Sequence, residues 1–194
     1  NKLNITENHH QVLSLFTNGF NREYYIREVQ KLLKISPRTS QLILNDLEDK
    51  GILESKTKGK IRTYKIKSNS LSKKYIILVE QYKAIAFFEK NQIVKELIEK
   101  ITPFIEGIGI IFGSYAKGIA EKESDLDIFV IGKYNKEGIK KASETYRIEI
   151  SVKCYPLKTF EKSINNDILI KEMLNNHIIF LNIEQFITKI IKNE

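Results

Sequence analysis

The sequence predicts an α+β protein of two parts: a basic first half of three short helices and a β-hairpin, and a second half in which strands and helices alternate. Three observations carry this. Apolar residues recur at helical spacing through residues 9–50, then give way to a hairpin pattern over 52–67. The whole excess of positive charge lies in residues 1–90, with 17 Lys/Arg against 9 Asp/Glu, while residues 91–194 hold 15 of each. Finally, the apolar run from Ile105 to Phe112 ends at Gly113-Ser114, and a second one starts at Asp125-Leu126-Asp127.

The first helix is read from His9 to Phe20, where Val12, Leu13, Leu15, Phe16 and Phe20 share a face and Asn18-Gly19 ends it. A second runs from Tyr25 to Leu33 on Ile26, Val29, Leu32 and Leu33. Ser36-Pro37 supplies an N-cap followed by proline at the first helical position. The third helix continues to Lys50 and stops at Gly51, with Ile43, Leu44 and Leu47 inward. Its other face shows Arg38, Thr39, Gln41 and Asn45, side chains able to bond base edges and phosphates. A hairpin turning at Lys58-Gly59 follows, and from Ser55 to Lys67 it carries six Lys/Arg and no acid, with Lys56, Lys58, Lys60 and Arg62 crowding the tip.

Three short helices and a basic hairpin are the parts of a winged helix-turn-helix, whose third helix enters the major groove of double-stranded DNA while the wing meets the flanking backbone. A three-helix unit can equally be a platform for another protein, and the charge asymmetry favours nucleic acid. In Arg22-Glu23-Tyr24-Tyr25-Ile26-Arg27-Glu28 and Ile35-Ser36-Pro37-Arg38-Thr39 the region resembles MarR/ArsR-type winged-helix regulators. Residues 68–90 read as a helix joining this domain (1–67) to the second (91–194). That helix can serve as linker or as the seam of a homodimer, the form in which winged helices meet paired half-sites.

In the second half, Asn91 to Ile101 has a helical apolar pattern ended by Pro103. The two apolar strands come next, then a helix over Lys136–Ser143, a strand from Tyr146 to Tyr155, and helices near 156–164, 167–175 and 183–192. Gly113 lets the backbone turn tightly and approach a ligand. Ser114 opens a short helix whose hydroxyl and backbone N–H groups suit a phosphate, with Lys117 and Gly118 close by. Asp125 and Asp127, two apart on a strand, project from one face and repel unless a cation lies between them. Mg²⁺ suits such a pair because it accepts carboxylates together with substrate phosphates. Glu149, on a strand of alternating apolar residues, is a candidate third ligand or the base for an attacking hydroxyl.

The strand followed by Gly113-Ser114-Tyr115-Ala116-Lys117-Gly118, then Ser124-Asp125-Leu126-Asp127, then Glu149-Ile150-Ser151 through Tyr155-Pro156 and Phe160, resembles the minimal nucleotidyltransferases of the DNA polymerase β superfamily. With the preceding region, the chain is similar to a prokaryotic fusion of a winged helix with that domain. The resemblance implies a small mixed sheet with helices on one side, Mg²⁺, and an NTP donor, ATP foremost. Related minimal domains act as antitoxins that transfer AMP to a tyrosine of a helical HEPN-type toxin. One departure matters: the superfamily's third acid is usually Asp, and either Glu149 or Ser151, on the same face, can occupy its position here. The functional expectation is thus nucleotidyl transfer to a protein or nucleic-acid hydroxyl by a DNA-binding, antitoxin-type regulator. The alternative is a non-catalytic transcriptional regulator whose second domain only binds nucleotide or a protein partner.

Composition bounds the remaining classes. An apolar fraction of 42% supports packed cores. No apolar run approaches 18 residues, so neither a membrane-spanning helix nor a membrane partner is expected. The opening Asn1-Lys2-Leu3-Asn4 lacks a signal-peptide pattern, and the single cysteine, Cys154, rules out an internal disulfide framework, so a cytoplasmic location is expected. His9, His10 and His177 have no partners at metal-ligand spacing and are read as structural or surface residues.

Overall fold

The structure, a computed structural model, describes residues 5–191, apart from the side chain of Lys58. The chain divides into two compact units, one running up to Val79 with Ile190 and Ile191, the other spanning Glu80–Lys189. The division falls inside a long helix, α4 (Ser70–Lys90).

The first unit contains α1 (Glu7–Thr17), β1 (Tyr24–Tyr25), α2 (Ile26–Leu33), α3 (Pro37–Asp49), β2 (Leu53–Lys58) and β3 (Ile61–Ile66). Local chemistry sets its boundaries. Lys34 in the left-handed region ends α2, and the Ser36 hydroxyl accepts the Thr39 N–H at 2.9 Å to start α3 behind Pro37. The helices bury Val12, Leu13, Phe16, Val29, Ile43, Leu44 and Leu47 completely or nearly so. Lys58 pairs with Ile61, so the hairpin turns on Gly59-Lys60, with Gly59 at φ +62°.

One strand departs from expectation. Helical spacing predicts a helix from Tyr25 onward, but Tyr24–Tyr25 form β1 and pair antiparallel with Tyr64 and Thr63. The sheet order is β1-β3-β2. Tyr24 is buried and stacks edge-on to Phe16 at 5.1 Å, so packing rather than helical propensity places it.

The second unit contains α5 (Gln92–Ile101), a 3₁₀ turn at Thr102–Phe104, β4 (Ile105–Phe112), α6 (Gly113–Lys117), β5 (Leu126–Tyr134), α7 (Lys136–Tyr146), β6 (Ile150–Tyr155), α8 (Leu157–Ser163), α9 (Ile168–Asn175), β7 (Ile178–Leu181) and α10 (Ile183–Ile190). Its sheet runs β6-β5-β4-β7, with β5 and β6 parallel and the other pairs antiparallel, so it is mixed as expected. Even-numbered residues of β5 (Leu126, Ile128, Val130) pack with Val94, Leu97, Ile98 and Ile101 of α5 and Ile139 of α7. The opposite face carries Phe129, whose ring contacts Phe112, Tyr155 and Phe160, and Phe160 continues to Phe186 of α10. Helices therefore cover both faces, where the family likeness implied one.

Two further differences concern segment boundaries. The strand expected from Tyr146 begins only at Ile150, because α7 continues to Tyr146 and ends on Arg147 at φ +54°. The Ser143 hydroxyl then donates to the Ile148 carbonyl at 2.7 Å. The four-residue β7 was not foreseen; it supplies the outer strand beside β4, pairing Ile179 with Ile110. The helix expected over 183–192 is α10, ending at Ile190, and residue 192 lies outside the described residues.

Buried beside this sheet is a charged cluster. Glu80 is fully enclosed, with Lys83 Nζ 2.8 Å from one carboxylate oxygen and His177 Nε2 3.1 Å from the other. His177, buried as well, also bonds the Leu174 carbonyl at 2.9 Å through Nδ1.

Candidate nucleotide site and basic hairpin

The candidate site forms where β4 ends. Phe112 is the last residue of the strand and pairs with Asp127 of β5, so the turn at Gly113 rises directly beside the Asp127 side chain. Gly113 has φ +69°, and a Cβ built there would stand 2.2 Å from an Asp127 carboxylate oxygen. Only glycine lets the carboxylate lie this close to the backbone. Gly118, at φ +70°, closes α6 by donating its N–H to the Tyr115 carbonyl at 3.1 Å.

The loop back to β5 is shaped by Ser124. Its hydroxyl accepts the Glu121 N–H at 2.8 Å, and its own N–H donates to the Glu121 carbonyl at 3.0 Å. This closed turn delivers Asp125, which is exposed, immediately ahead of β5; Asp127 is half-buried. Burial pushes the Asp127 carboxyl above the ordinary aspartate range; the Asp125 and Glu172 charges add to the rise, while Lys153 and Lys117 oppose it. Lys117 also bridges Glu172 of α9 at 3.1 Å. Gly113, Ser114, Lys117, Gly118, Asp125 and Asp127, singled out in the sequence, thus lie together around one strand end.

Glu149 is placed differently. It precedes β6, is exposed, and its carbonyl accepts the Leu126 N–H at 2.8 Å. Ser151 is the residue beside Asp127 in the parallel ladder. Among the described residues no three Asp, Glu, His or Cys side chains gather closely enough to hold a metal ion. Asp125 and Asp127 stand as a pair, and Glu149 lies toward the Asp125 end of the same ladder. Sequence reading did not single out Lys153, although its place two residues beyond Ser151 puts it on the same strand face.

The pair nevertheless fits a divalent cation. A half-buried carboxylate raised by burial and by its neighbour's charge is relieved by a dication, and Mg²⁺ is commonly held by one or two carboxylates plus substrate phosphates.

The family of the second unit follows from comparison with known proteins: the family described as "Nucleotidyltransferase domain" matches residues 90–193. The chain belongs to that family. In this nucleotidyltransferase the match takes in β4, the Gly113-Ser114 turn, both aspartates and β6. No curated protein matches the sequence. Among solved structures there is a slight likeness to the one described as "Structure of TrmBL2, an archaeal chromatin protein, shows a novel mode of DNA binding". It is 15% identical, covers 88% of this chain and 70% of that one, and has a TM-score of 0.30, too low to carry an argument.

In the first unit, the residues expected to meet DNA divide into available and committed groups. Arg38 and Gln41 on α3 are exposed, as are Lys56 and Lys60 on the hairpin. Thr39 is tied to Ser36, hydroxyl to hydroxyl at 2.8 Å. The Asn45 side-chain carbonyl accepts the Tyr64 hydroxyl at 3.0 Å. Arg62 bonds Glu48 and the Ser55 hydroxyl, and its guanidinium lies 5.3 Å from the Tyr64 ring centre. The hydrogen bond that Arg62 donates to the Glu48 carboxylate is the main cause raising the Arg62 pKa above the ordinary arginine value. The Lys58 side chain lies outside the described residues.

Proposed function

We propose that the site at Gly113–Asp127 transfers a nucleoside monophosphate from an NTP, ATP foremost, to a hydroxyl of a protein or nucleic acid, with Mg²⁺ held by Asp125 and Asp127. The observation that carries this reading is the close approach of the Gly113 backbone and the Asp127 carboxylate, which brings the glycine turn and an acid of β5 to one point. In the reaction the acceptor oxygen bonds the α-phosphorus, the bond from that phosphorus to the bridging oxygen breaks, and pyrophosphate leaves. Bound Mg²⁺ would neutralise phosphate charge. Ser114 and Lys117 orient the triphosphate, and Glu149, at the outer end of the carboxylate face, is assigned the base that takes the acceptor's proton.

The proposal extends to the first unit. Its exposed Arg38, Gln41, Lys56 and Lys60, on a helix and hairpin of winged-helix form, support binding of double-stranded DNA. A homodimer is the form suited to paired half-sites, and an antitoxin-type regulator of the cytoplasm with a HEPN-type toxin as acceptor is the role supported by the sequence resemblance. Among the described residues no helix is long and apolar enough to cross a membrane.

One observation favours a second reading. Ser151, not an acid, lies beside Asp127 in the ladder. A site with only two carboxylates can bind nucleotide and report on it without transferring it.

The deciding experiment supplies ATP labelled at the α- or γ-phosphate, Mg²⁺ and candidate acceptors to the protein and to a variant carrying Asp125→Asn and Asp127→Asn. Transfer of α-label alone, lost in the variant, is expected. Nucleotide binding without label transfer under any condition would establish the second reading instead.

A further inference from the structure

We propose that Lys153, on the edge strand β6, is a nucleotide-binding residue that contacts the phosphates of the NTP held at Gly113–Asp127. This rests on the nucleotidyl-transfer reading of that site. Ile150, Val152 and Cys154 pack into the core shared with α5 and α7, so their alternates Ser151, Lys153 and Tyr155 face the other side of the sheet. That side is the side of Asp127. The parallel ladder sets Ser151 beside Asp127 and Lys153 beside Phe129, and the Tyr155 ring lies 5.1 Å from the Phe129 ring.

Three physical features give this lysine its role. β6 is an edge strand and Lys153 is exposed, so its four-carbon stem is free to swing along the strand end. It stands beside the site: the ladder puts it two residues along from Ser151, the partner of Asp127, and on the same face. Lys117 of α6 is engaged with Glu172, whereas among the described residues Lys153 has no ion-pair partner.

The charge count explains why a second cationic group is needed. A triphosphate beside two carboxylates concentrates far more negative charge than one divalent cation offsets. Beside Asp127, in the place where a third carboxylate would hold another metal ion, the ladder offers a hydroxyl, Ser151. A mobile ammonium two residues further along the same face supplies positive charge with three donors and no need for a ligand cage.

The test measures affinity for α,β-methylene-ATP with Mg²⁺ by calorimetry, in the parent and in Lys153→Ala, Lys153→Arg and Lys153→Glu, with Lys140→Ala on the opposite side of the sheet as control. Loss of a charged hydrogen-bonding partner predicts about ten- to a hundredfold weaker binding for the alanine variant. Recovery in the arginine variant and a larger loss in the glutamate variant are expected, with adenosine binding unchanged throughout. Affinity of the alanine variant within twofold of the parent, or an equal loss for adenosine, overturns the role of Lys153 while leaving the site's function standing. A parent protein that binds no nucleotide at all overturns the functional reading, and this inference with it.

Discussion

The Asp127 carboxylate rests against the backbone of Gly113, closer than any residue with a β-carbon permits. Two requirements meet at one glycine: a left-handed turn at the end of β4, and space for an acid that arrives from β5. Gly113→Ala is expected to add strain at φ +69° of about 1–2 kcal/mol. It also drives Asp127 from its place. Label transfer from α-labelled ATP should fall by at least about a hundredfold, the cost typical of a misplaced group near the chemistry, and thermal denaturation will show how much of the loss is fold.

Ionising Asp127 carries an electrostatic cost, from burial and from the neighbouring Asp125 charge. Its folded-state pKa is raised, so this acid's favourable contribution is present when it is protonated and is lost as pH rises from the ordinary aspartate range through the raised value. At neutral pH the ionised group opposes folding. Asp127→Asn should therefore leave Tm at pH 7 equal to or above that of the parent while abolishing transfer. Added Mg²⁺ should raise Tm in the parent and much less in the variant. A variant clearly less stable than the parent in metal-free buffer at pH 7 contradicts this account.

The enclosed Glu80 has the opposite sign. Burial alone would raise its pKa, but Lys83 and His177 outweigh that and hold it at about 2, below its ordinary 4.5. Its contribution is thus present above the ordinary value and lost as pH falls from there toward 2. Glu80→Gln leaves Lys83 and His177 without their carboxylate and should cost about 3–5 kcal/mol at pH 7. Urea titrations at pH 7 and pH 3 should show the variant's deficit shrinking in acid.

On the β2–β3 hairpin, exposed and committed cations should behave differently. Replacing Lys56 and Lys60 with Ala is expected to weaken DNA binding uniformly across sequences and to reduce the salt slope by about two. Arg62→Ala instead breaks the links to Glu48 and Ser55, so its first effect is on stability. Arg38→Ala and Gln41→Ala should relax sequence discrimination, at about 1–3 kcal/mol for a lost bidentate base contact. Fluorescence anisotropy on operator and random duplexes at several salt concentrations separates these outcomes.

What could be read in advance was what depends on near neighbours in the chain. The Ser36-Pro37 cap, the turn near Gly59 and the alternation along β5 are local, and each appears where its residues indicate, although β5 begins at Leu126 and leaves Asp125 just ahead of the strand on which it was expected. The shorter elements were not legible. Tyr24–Tyr25 and Ile178–Leu181 are too brief for a period to show, and they become strands only because β3 and β4 offer unpaired edges.

The sequence by itself determined that a glycine turn, a serine and two carboxylates follow an apolar strand, because those facts concern spacing along one chain. Tertiary structure alone decided which residue of β6 meets them. Alternation put Glu149, Ser151 and Lys153 on one face, but the ladder register, set by how the apolar residues of β5 and β6 bury together, placed Ser151 beside Asp127, Glu149 toward the outer end and Lys153 toward Phe129.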